Sequence, residues 1–137
     1  MRATASTTDR QPTSFEELQE HAPAGLRTFF RIAERWKLTP EEQRTILGDP
    51  PRSTFYNWRT GQFGGVRADT LERLSHLFGV FEGLRELYLD KRQADEWVRQ
   101  PNSAFAGKSA LAHMLGGRVA DLYEVRRYVE AAAEGAI

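Results

Sequence analysis

The stretch that decides the fold is WKLTPEEQRTILGDPPRSTFYNWR, residues 36–59. Its TPEE segment begins at Thr39 and has the pattern of a capping box with proline at the first helical position. The short helix that starts there is expected to stop at Gly48, because glycine readily takes the left-handed conformation that ends helices. A second helix is predicted over about 51–59. Two short helices joined by a glycine-containing turn are typical of a DNA-binding helix-turn-helix.

The second helix divides its side chains between two faces. Phe55 and Trp58 lie three residues apart, so they share one face and are expected in the core. The opposite face is polar and, over 51–61, contains no acid. In a helix-turn-helix this helix enters the major groove, where Asn can bond adenine, Arg can bond guanine, and hydroxyls can reach phosphates or base edges. The residues expected to contact DNA from this helix are Arg52, Ser53, Thr54, Tyr56, Asn57 and Arg59.

Four further residues are expected to contact phosphate groups. Lys37, Thr39 and Gln43 lie at the start of the first helix of the pair, and Arg67 follows the Gly-Gly loop after the second. The pattern alone leaves another interpretation open. A small helical bundle whose arginine and tyrosine side chains only face solvent would look similar.

Composition narrows the classes of function. The 137 residues include 19 Lys and Arg and 19 Asp and Glu, so the net charge is zero. Proteins that coat nucleic acid non-specifically are normally basic, so DNA binding would come from a local basic patch, repeated by dimerisation. The absence of cysteine excludes disulfides and thiolate sites and fits a reducing cytoplasm. The three histidines have no carboxylate at zinc-ligand spacing and the serines form no nucleophile elbow, so no metal, cofactor or enzyme activity is expected.

The whole chain predicts an all-α fold, because no segment alternates with the period of a strand. A short helix capped by Ser14 is expected over about 14–20, followed by a separate helix that Pro23 opens. After the helix-turn-helix, one helix is expected to begin at 68 or 69 and to end at Gly79, and another to follow around 84–88. C-terminal helices are predicted over about 94–98, 109–115 and 119–133.

The C-terminal third carries a specific order of motifs. Trp97 precedes Pro101-Asn102, the segment FAGKSAL follows at 105–111, and Gly116-Gly117 separates it from an amphipathic final helix. This order resembles the toxin-binding domain of Xre/ParS/MbcA-type antitoxins. The stretch 36–59, with the DTLERL segment that begins at Asp69, resembles the Xre-like helix-turn-helix of the same family. The resemblance extends over roughly residues 25–135.

The resemblance implies an antitoxin of a type II toxin–antitoxin pair. The usual partner in such a pair is a RES-domain toxin that is similar to ADP-ribosyltransferases and depletes NAD⁺. The C-terminal domain would cover the active site of the toxin, and the helix-turn-helix would repress the shared operon as a homodimer or higher assembly. One departure from the family pattern is Asp49-Pro50-Pro51, since prolines fix φ and remove amides that could bind phosphate at the start of the recognition helix.

On this basis we divide the chain into a disordered tail over 1–13, a helix-turn-helix domain for DNA binding and dimerisation over 14–90, and a toxin-binding domain over 91–137. Arginines of the last helix can pair with catalytic acids, and a tyrosine can supply buried aromatic area. The residues expected to bind the toxin are Phe105, Arg118, Tyr123, Arg126, Arg127, Tyr128 and Ile137. The apolar residues of the same helix, Leu122, Val125 and Val129, are expected in the core.

Two alternatives remain at this point. The chain could be a free-standing helix-turn-helix regulator whose C-terminal third dimerises or senses a ligand. It could also be a helical scaffold that binds only protein.

Overall fold

The computed structural model describes residues 15–136, with side-chain positions from residue 19 onward. This part of the chain contains seven α-helices, one turn of 3₁₀ helix over Ser103–Phe105, and no strand. The helices are α1 (Phe15–Arg35), α2 (Pro40–Ile46), α3 (Arg52–Arg59), α4 (Ala68–Leu87), α5 (Lys91–Trp97), α6 (Ala110–Met114) and α7 (Val119–Ala133). The all-α prediction is confirmed. The predicted tail over 1–13 and the Ser14 cap lie outside the described residues.

The predicted helix-turn-helix is formed by α2 and α3. Thr39 Oγ1 accepts a hydrogen bond from the Glu42 N–H at 3.1 Å, and Glu42 Oε1 accepts one from the Thr39 N–H at 2.9 Å. Gly48 ends this segment with φ 97°. Phe55 is fully buried, and its ring meets the ring of Phe30 of α1 edge to face, with centroids 5.9 Å apart. The inner face of α3 therefore anchors it to α1, as its sequence predicted.

Helix α1 is continuous through Pro23, although the sequence predicted two separate helices there. Proline has no N–H and so removes one hydrogen bond of the helix. Packing outweighs this loss, because Ala22 and Leu26 beside it are buried. The side chain of Gln19 also bonds both backbone groups of Val66, donating to its carbonyl and accepting from its N–H at 3.1 Å. These contacts keep the first turns of α1 helical.

Helix α4 is also continuous, and the prediction that Gly79 ends it is wrong. Gly79 and Gly83 face α7. A Cβ atom on Gly83 would lie 2.5 Å from Cγ1 of Val129, and one on Gly79 would lie 2.5 Å from Nε of Arg126. The two glycines therefore serve the close approach of two helices. Position 79 faces residue 126 and position 83 faces residue 129, so the contacts advance in the same direction along both helices, and α4 and α7 run parallel.

One hydrophobic core extends through both halves of the described chain. It includes buried residues of α1 and α3 from the N-terminal half and of α6 and α7 from the C-terminal half. Leu122, Val125 and Val129 of α7 are fully buried, as their spacing predicted. Helix α4 contributes to the packing of both halves, so the two parts are not separate bodies. The boundary at residues 90 and 91 stays a prediction.

No helix in the described range combines the length and the apolar character needed to cross a membrane.

The packing of α4 on α7 can be tested with two matched substitutions. Alanine favours a helix over glycine by about 1 kcal/mol, so each change carries the same intrinsic gain. In Gly83→Ala the new methyl group meets the stiff β-branched side chain of Val129, and we expect a net loss of about 1–3 kcal/mol in the free energy of unfolding. In Gly79→Ala it meets Nε, Cδ and Cγ of Arg126, a long unbranched side chain that can rotate away, so stability should stay within about 1 kcal/mol of the wild type.

Urea denaturation of both variants measures this difference. The packing assignment is contradicted if Gly83→Ala is as stable as Gly79→Ala. As a second check, Gly83→Ala is introduced into the Val129→Ala variant, where the added methyl group no longer has a side chain to displace. There it should lower the free energy of unfolding by less than it does in the wild type.

Candidate nucleic-acid and partner interfaces

The outer face of α3 is the candidate nucleic-acid interface. Arg52, Ser53, Tyr56 and Asn57 are exposed, and Tyr56 retains 45% of its accessible surface. Thr54 is half-buried at the edge of this face. The arrangement offers amide, hydroxyl and guanidinium groups to solvent from one helix, which is the set of groups that reads base edges and phosphates.

Arg59 lies at the C-terminal end of α3 and is exposed. Its guanidinium carbon lies 5.9 Å from the centroid of the Phe55 ring and 5.8 Å from that of Tyr56. Cation–π contacts of this kind limit the positions open to a long side chain. Arg59 is therefore directed by the aromatic residues of its own helix.

The surroundings of α3 are locally basic although the chain is neutral. Residues 50–68 contain three arginines and no acid. The nearest preceding acid, Asp49, lies 3.1 Å from Nη2 of Arg44, and the same nitrogen donates to the Pro50 carbonyl at 2.9 Å. Arg44 thus partly neutralises Asp49 and fixes the turn that enters α3. Sequence reasoning did not identify this arginine, because its partners are set by the turn.

Pro51 is the N-cap residue of α3, and α3 begins with the next residue, Arg52. No side chain caps this helix start within the described residues. Both prolines thus precede the first turn of α3, and every residue of that turn has a backbone N–H. The proline pair therefore leaves this helix start available for an anion.

The four residues expected to contact phosphates differ in their exposure to solvent. Lys37, Thr39 and Arg67 are exposed. Gln43 is buried, with 7% of its accessible surface exposed, and its Nε2 donates to the Leu38 carbonyl at 2.9 Å. A buried amide bonded to its own turn does not face a nucleic acid, so Gln43 supports the turn into α2 from inside.

The second candidate surface begins at Arg118, which precedes α7. Its guanidinium side chain is 73% exposed, whereas its partner Asp121 is buried. Asp121 accepts hydrogen bonds from the Arg118 N–H at 3.0 Å, from Nε at 3.3 Å and from Nη2 at 2.7 Å. The side-chain hydrogen bond from Arg118 holds the pKa of Asp121 below its ordinary value, although burial acts in the opposite direction. The same bond raises the pKa of Arg118.

Tyr123 and Arg127 form an exposed pair one turn further along α7. Tyr123 is 44% exposed, and Arg127 Nη1 donates to its hydroxyl oxygen at 3.1 Å. This hydrogen bond is the main cause of a raised pKa of Arg127. The pair presents an aromatic ring and a cation together, which suits a protein interface.

Three other residues expected to bind a partner are less accessible. Phe105 is buried, and Tyr128 is half-buried, with its ring 5.4 Å from that of Phe105 and 6.2 Å from that of Trp97. Arg126 is half-buried and its Nε lies 2.9 Å from Oε2 of Glu130. Tyr128 of α7 therefore packs against Phe105 and Trp97 and holds the helix against the rest of the C-terminal half. Ile137 lies outside the described residues.

One cluster of charged groups was not expected from sequence spacing. His113 Nε2 lies 2.7 Å from Glu124 Oε1, and ligand atoms of these two residues and of Asp121 all lie within 4.8 Å of one another. Both carboxylate oxygens of Asp121 already accept from Arg118. The guanidinium thus occupies the place of a cation, and the cluster joins α6 to α7 by hydrogen bonds.

Comparisons with known proteins agree with this arrangement. Residues 17–79 match the family described as "Antitoxin Xre-like helix-turn-helix domain", and residues 76–135 match "Antitoxin Xre/MbcA/ParS C-terminal toxin-binding domain". A relative from Sinorhizobium fredii, named "Uncharacterized protein y4oB", is 49% identical over 113 residues, which cover 82% of this chain and 87% of the relative. No solved structure gives a significant match. The two family matches meet inside α4.

The hydrogen bonds that Asp121 accepts from Arg118 at the start of α7 predict a pH-dependent contribution to stability. Asp121→Asn should lower the free energy of unfolding at pH 7 by about 1–3 kcal/mol, because the buried group loses charge-assisted hydrogen bonds. Since the pKa of Asp121 is lower in the folded than in the unfolded chain, its contribution is present at neutral pH and lost as the pH falls towards the lowered pKa. The difference between wild type and variant should therefore narrow below about pH 4.

Urea denaturation at several pH values measures this difference. Glu96→Gln, which alters an exposed acid of α5, is the control and should change stability by less than about 0.5 kcal/mol at every pH. A difference between Asp121→Asn and wild type that stays constant down to pH 3 would contradict the assigned hydrogen bonds.

Proposed function

This chain belongs to the Xre/MbcA/ParS antitoxin family, and from that premise we propose that it neutralises a RES-domain, NAD⁺-degrading toxin and represses its own operon. The observation that carries the proposal is the order of the two family matches along one chain. A DNA-binding module and a toxin-binding module share α4 and one core. The chain has no catalytic role in this proposal and acts in the cytoplasm, as a homodimer or higher assembly within the complex.

For operator binding, the proposal uses the exposed face of α3. Asn57 and Arg59 would contact base edges, and Arg52, Ser53, Thr54 and Tyr56 would contact bases or phosphates. Lys37, Thr39 and Arg67 would contact phosphates on either side. The acid-free stretch over 50–68 supports this assignment, because a neutral chain needs a local excess of cations to approach DNA. Gln43 is left out because it is buried.

For toxin binding, the proposal uses the exposed side chains of α7 and its start. Arg118 and Arg127 would pair with acids of the toxin cleft, and Tyr123 would supply the aromatic contact. Arg126 and Tyr128 would hold α7 in place through their contacts with Ser75 and Phe105. The residues after Ala133 continue from the end of α7 and would reach into the cleft, with Ile137 at their end. A charged cleft that closes over this segment would be blocked to NAD⁺.

The groove assignment predicts a selective loss of DNA affinity. Asn57→Ala and Arg59→Ala should each weaken binding to the DNA upstream of this gene by about 1–3 kcal/mol, because each removes base contacts. Arg92→Ala removes an exposed arginine of α5 and is the matched control, with affinity expected unchanged. A fluorescence titration at several salt concentrations measures both affinity and its salt dependence. Unchanged affinity after Arg52, Asn57 and Arg59 are all replaced by Ala would contradict the assignment.

The toxin-binding assignment is tested in cells that also express the reading frame next to this gene, which in this proposal encodes the toxin. Tyr123→Ala with Arg127→Glu should abolish neutralisation, because the two exposed side chains are bonded to each other and the substitutions remove the aromatic contact and place an acid against the acids of the cleft. Cellular NAD⁺ should then fall. Truncation after Ala131 should do the same if the end of the chain blocks the cleft. Asn57→Ala should neutralise normally, since α3 lies in the other half. Full protection by the truncated chain would rule out a blocking tail, and DNA binding with no toxin nearby would favour a free-standing regulator.

A further inference from the structure

Most arginine side chains of the described chain are held by an acid or by another polar group. Arg35 at the end of α1, for example, pairs with Asp95 of α5 at 2.9 Å. A set of arginines in the N-terminal half makes no ion pair with any acid among residues 19–136, and its members are Arg27, Arg31, Arg52, Arg59 and Arg67. The last three belong to the proposed DNA-binding surface. Arg27 and Arg31 lie in α1, outside the helix-turn-helix pattern.

Arg27 and Arg31 lie about one helical turn apart, so they project from the same side of α1. Both are exposed. The guanidinium carbon of Arg27 lies 5.5 Å from the centroid of the Phe63 ring, which belongs to the loop that leaves α3. Arg31 Nη2 donates to Thr28 Oγ1 of the same helix at 3.3 Å. The first arginine of the pair therefore borders the loop between the recognition helix and Arg67.

The second arginine of the pair opens onto a cleft between α1 and the helix-turn-helix. The cleft has a volume of about 440 Å³ and is lined by Arg31 and Glu34 of α1 and by Arg59 of α3. Leu38 and Gln43 also line it, and both are buried, with the Gln43 side chain bonded to the Leu38 carbonyl. This part of the cleft is therefore fixed, and the charged groups beside it are exposed. Arg31 shares the cleft with a residue of the DNA-reading helix.

We propose that Arg27 and Arg31 bind phosphate groups of the DNA that α3 contacts, so that the DNA-binding surface extends onto α1. The proposal rests on the proposed function and adds a second helix to its DNA contacts. Charge complementarity supports it, because an arginine without an acid partner can bind a phosphate without first losing an ion pair. Continuity supports it as well, since the two side chains border the loop after α3 and the cleft beside Arg59. Such contacts supply affinity and orientation but carry no sequence information.

Glu34 gives the proposal a test of opposite sign. Its side chain is exposed, lines the cleft with Arg31 and makes no ion pair with a cation among residues 19–136. A carboxylate next to a phosphate group repels it. Replacing Glu34 by Gln should therefore strengthen DNA binding, whereas replacing either arginine by Ala should weaken it. Residues that only supported the fold would not produce effects of opposite sign.

The experiment measures binding of the full chain to two labelled duplexes over a range of salt concentrations. One duplex is the DNA upstream of this gene, and the other has the same length and base composition in scrambled order. Arg27→Ala and Arg31→Ala should each lower the affinity for both duplexes by the same factor, about threefold to tenfold at low salt. Each should also reduce the slope of log affinity against log salt by about one. Glu34→Gln should raise both affinities by about twofold to fivefold.

Matched variants separate phosphate binding from other effects. Arg92→Ala and Glu96→Gln alter exposed charges of α5 that do not line the cleft, so they should leave both affinities unchanged. Arg31→Lys keeps the charge and should keep the salt slope of the wild type. Asn57→Ala should weaken binding to the upstream DNA alone, because it removes a base contact. All variants should unfold at the urea concentration of the wild type, since each changes an exposed side chain.

Unchanged affinity and salt slope in Arg27→Ala and Arg31→Ala overturn the proposal, and so does weaker binding by Glu34→Gln. Loss of toxin neutralisation in cells with unchanged DNA binding also overturns it and assigns the two arginines to a protein partner. If the wild type binds both duplexes equally, the operator proposal fails, and the scrambled duplex still decides whether α1 binds phosphates. Binding to neither duplex at low salt overturns both.

Discussion

The close approach of α4 and α7 is the constraint on which the rest of the structure depends. Where Gly79 and Gly83 face α7, side chains of Arg126 and Val129 occupy the space that a Cβ atom would need. Because these two helices touch along their length, α7 shares the core that α4 forms with α1 and α3. Helix α7 is therefore fixed to the same core that holds α3.

The distribution of charge follows from this arrangement. The chain is neutral overall, but the stretch over 50–68 has only basic charged residues. The groove between α4 and α7 has the opposite character, since it is lined by Glu82, Glu86, Glu130 and Glu134 beside the single Arg126. A neutral protein with its charges separated in this way can be attracted to a polyanion by one surface and repelled from it by another. Net charge alone would have suggested no affinity for DNA.

Arginine side chains make many of the connections between elements distant in sequence. Arg99 bonds the turn before α2, Arg73 bonds α2 and the Gly117 carbonyl before α7, and Arg35 pairs with Asp95 of α5 at 2.9 Å. Each guanidinium has several donors in a planar group, so it can satisfy backbone carbonyls from two segments at once. Such bonds are specific in direction, whereas the apolar core beneath them is not.

The sequence by itself determined the elements whose signals are local. The TPEE cap, the left-handed Gly48 and the spacing of Phe55 and Trp58 specify the helix-turn-helix, because capping, turn conformation and helical periodicity depend on near neighbours. Ser109 and the apolar spacing of the last helix did the same for α6 and α7. Only the tertiary structure decided that α1 continues through Pro23 and α4 through Gly79, since packing partners far along the chain outweigh local helix-breaking tendencies. It also decided that Gln43 is buried and that Arg73 joins the two halves, because burial and long-range hydrogen bonds exist only once α2, α4 and α7 are assembled.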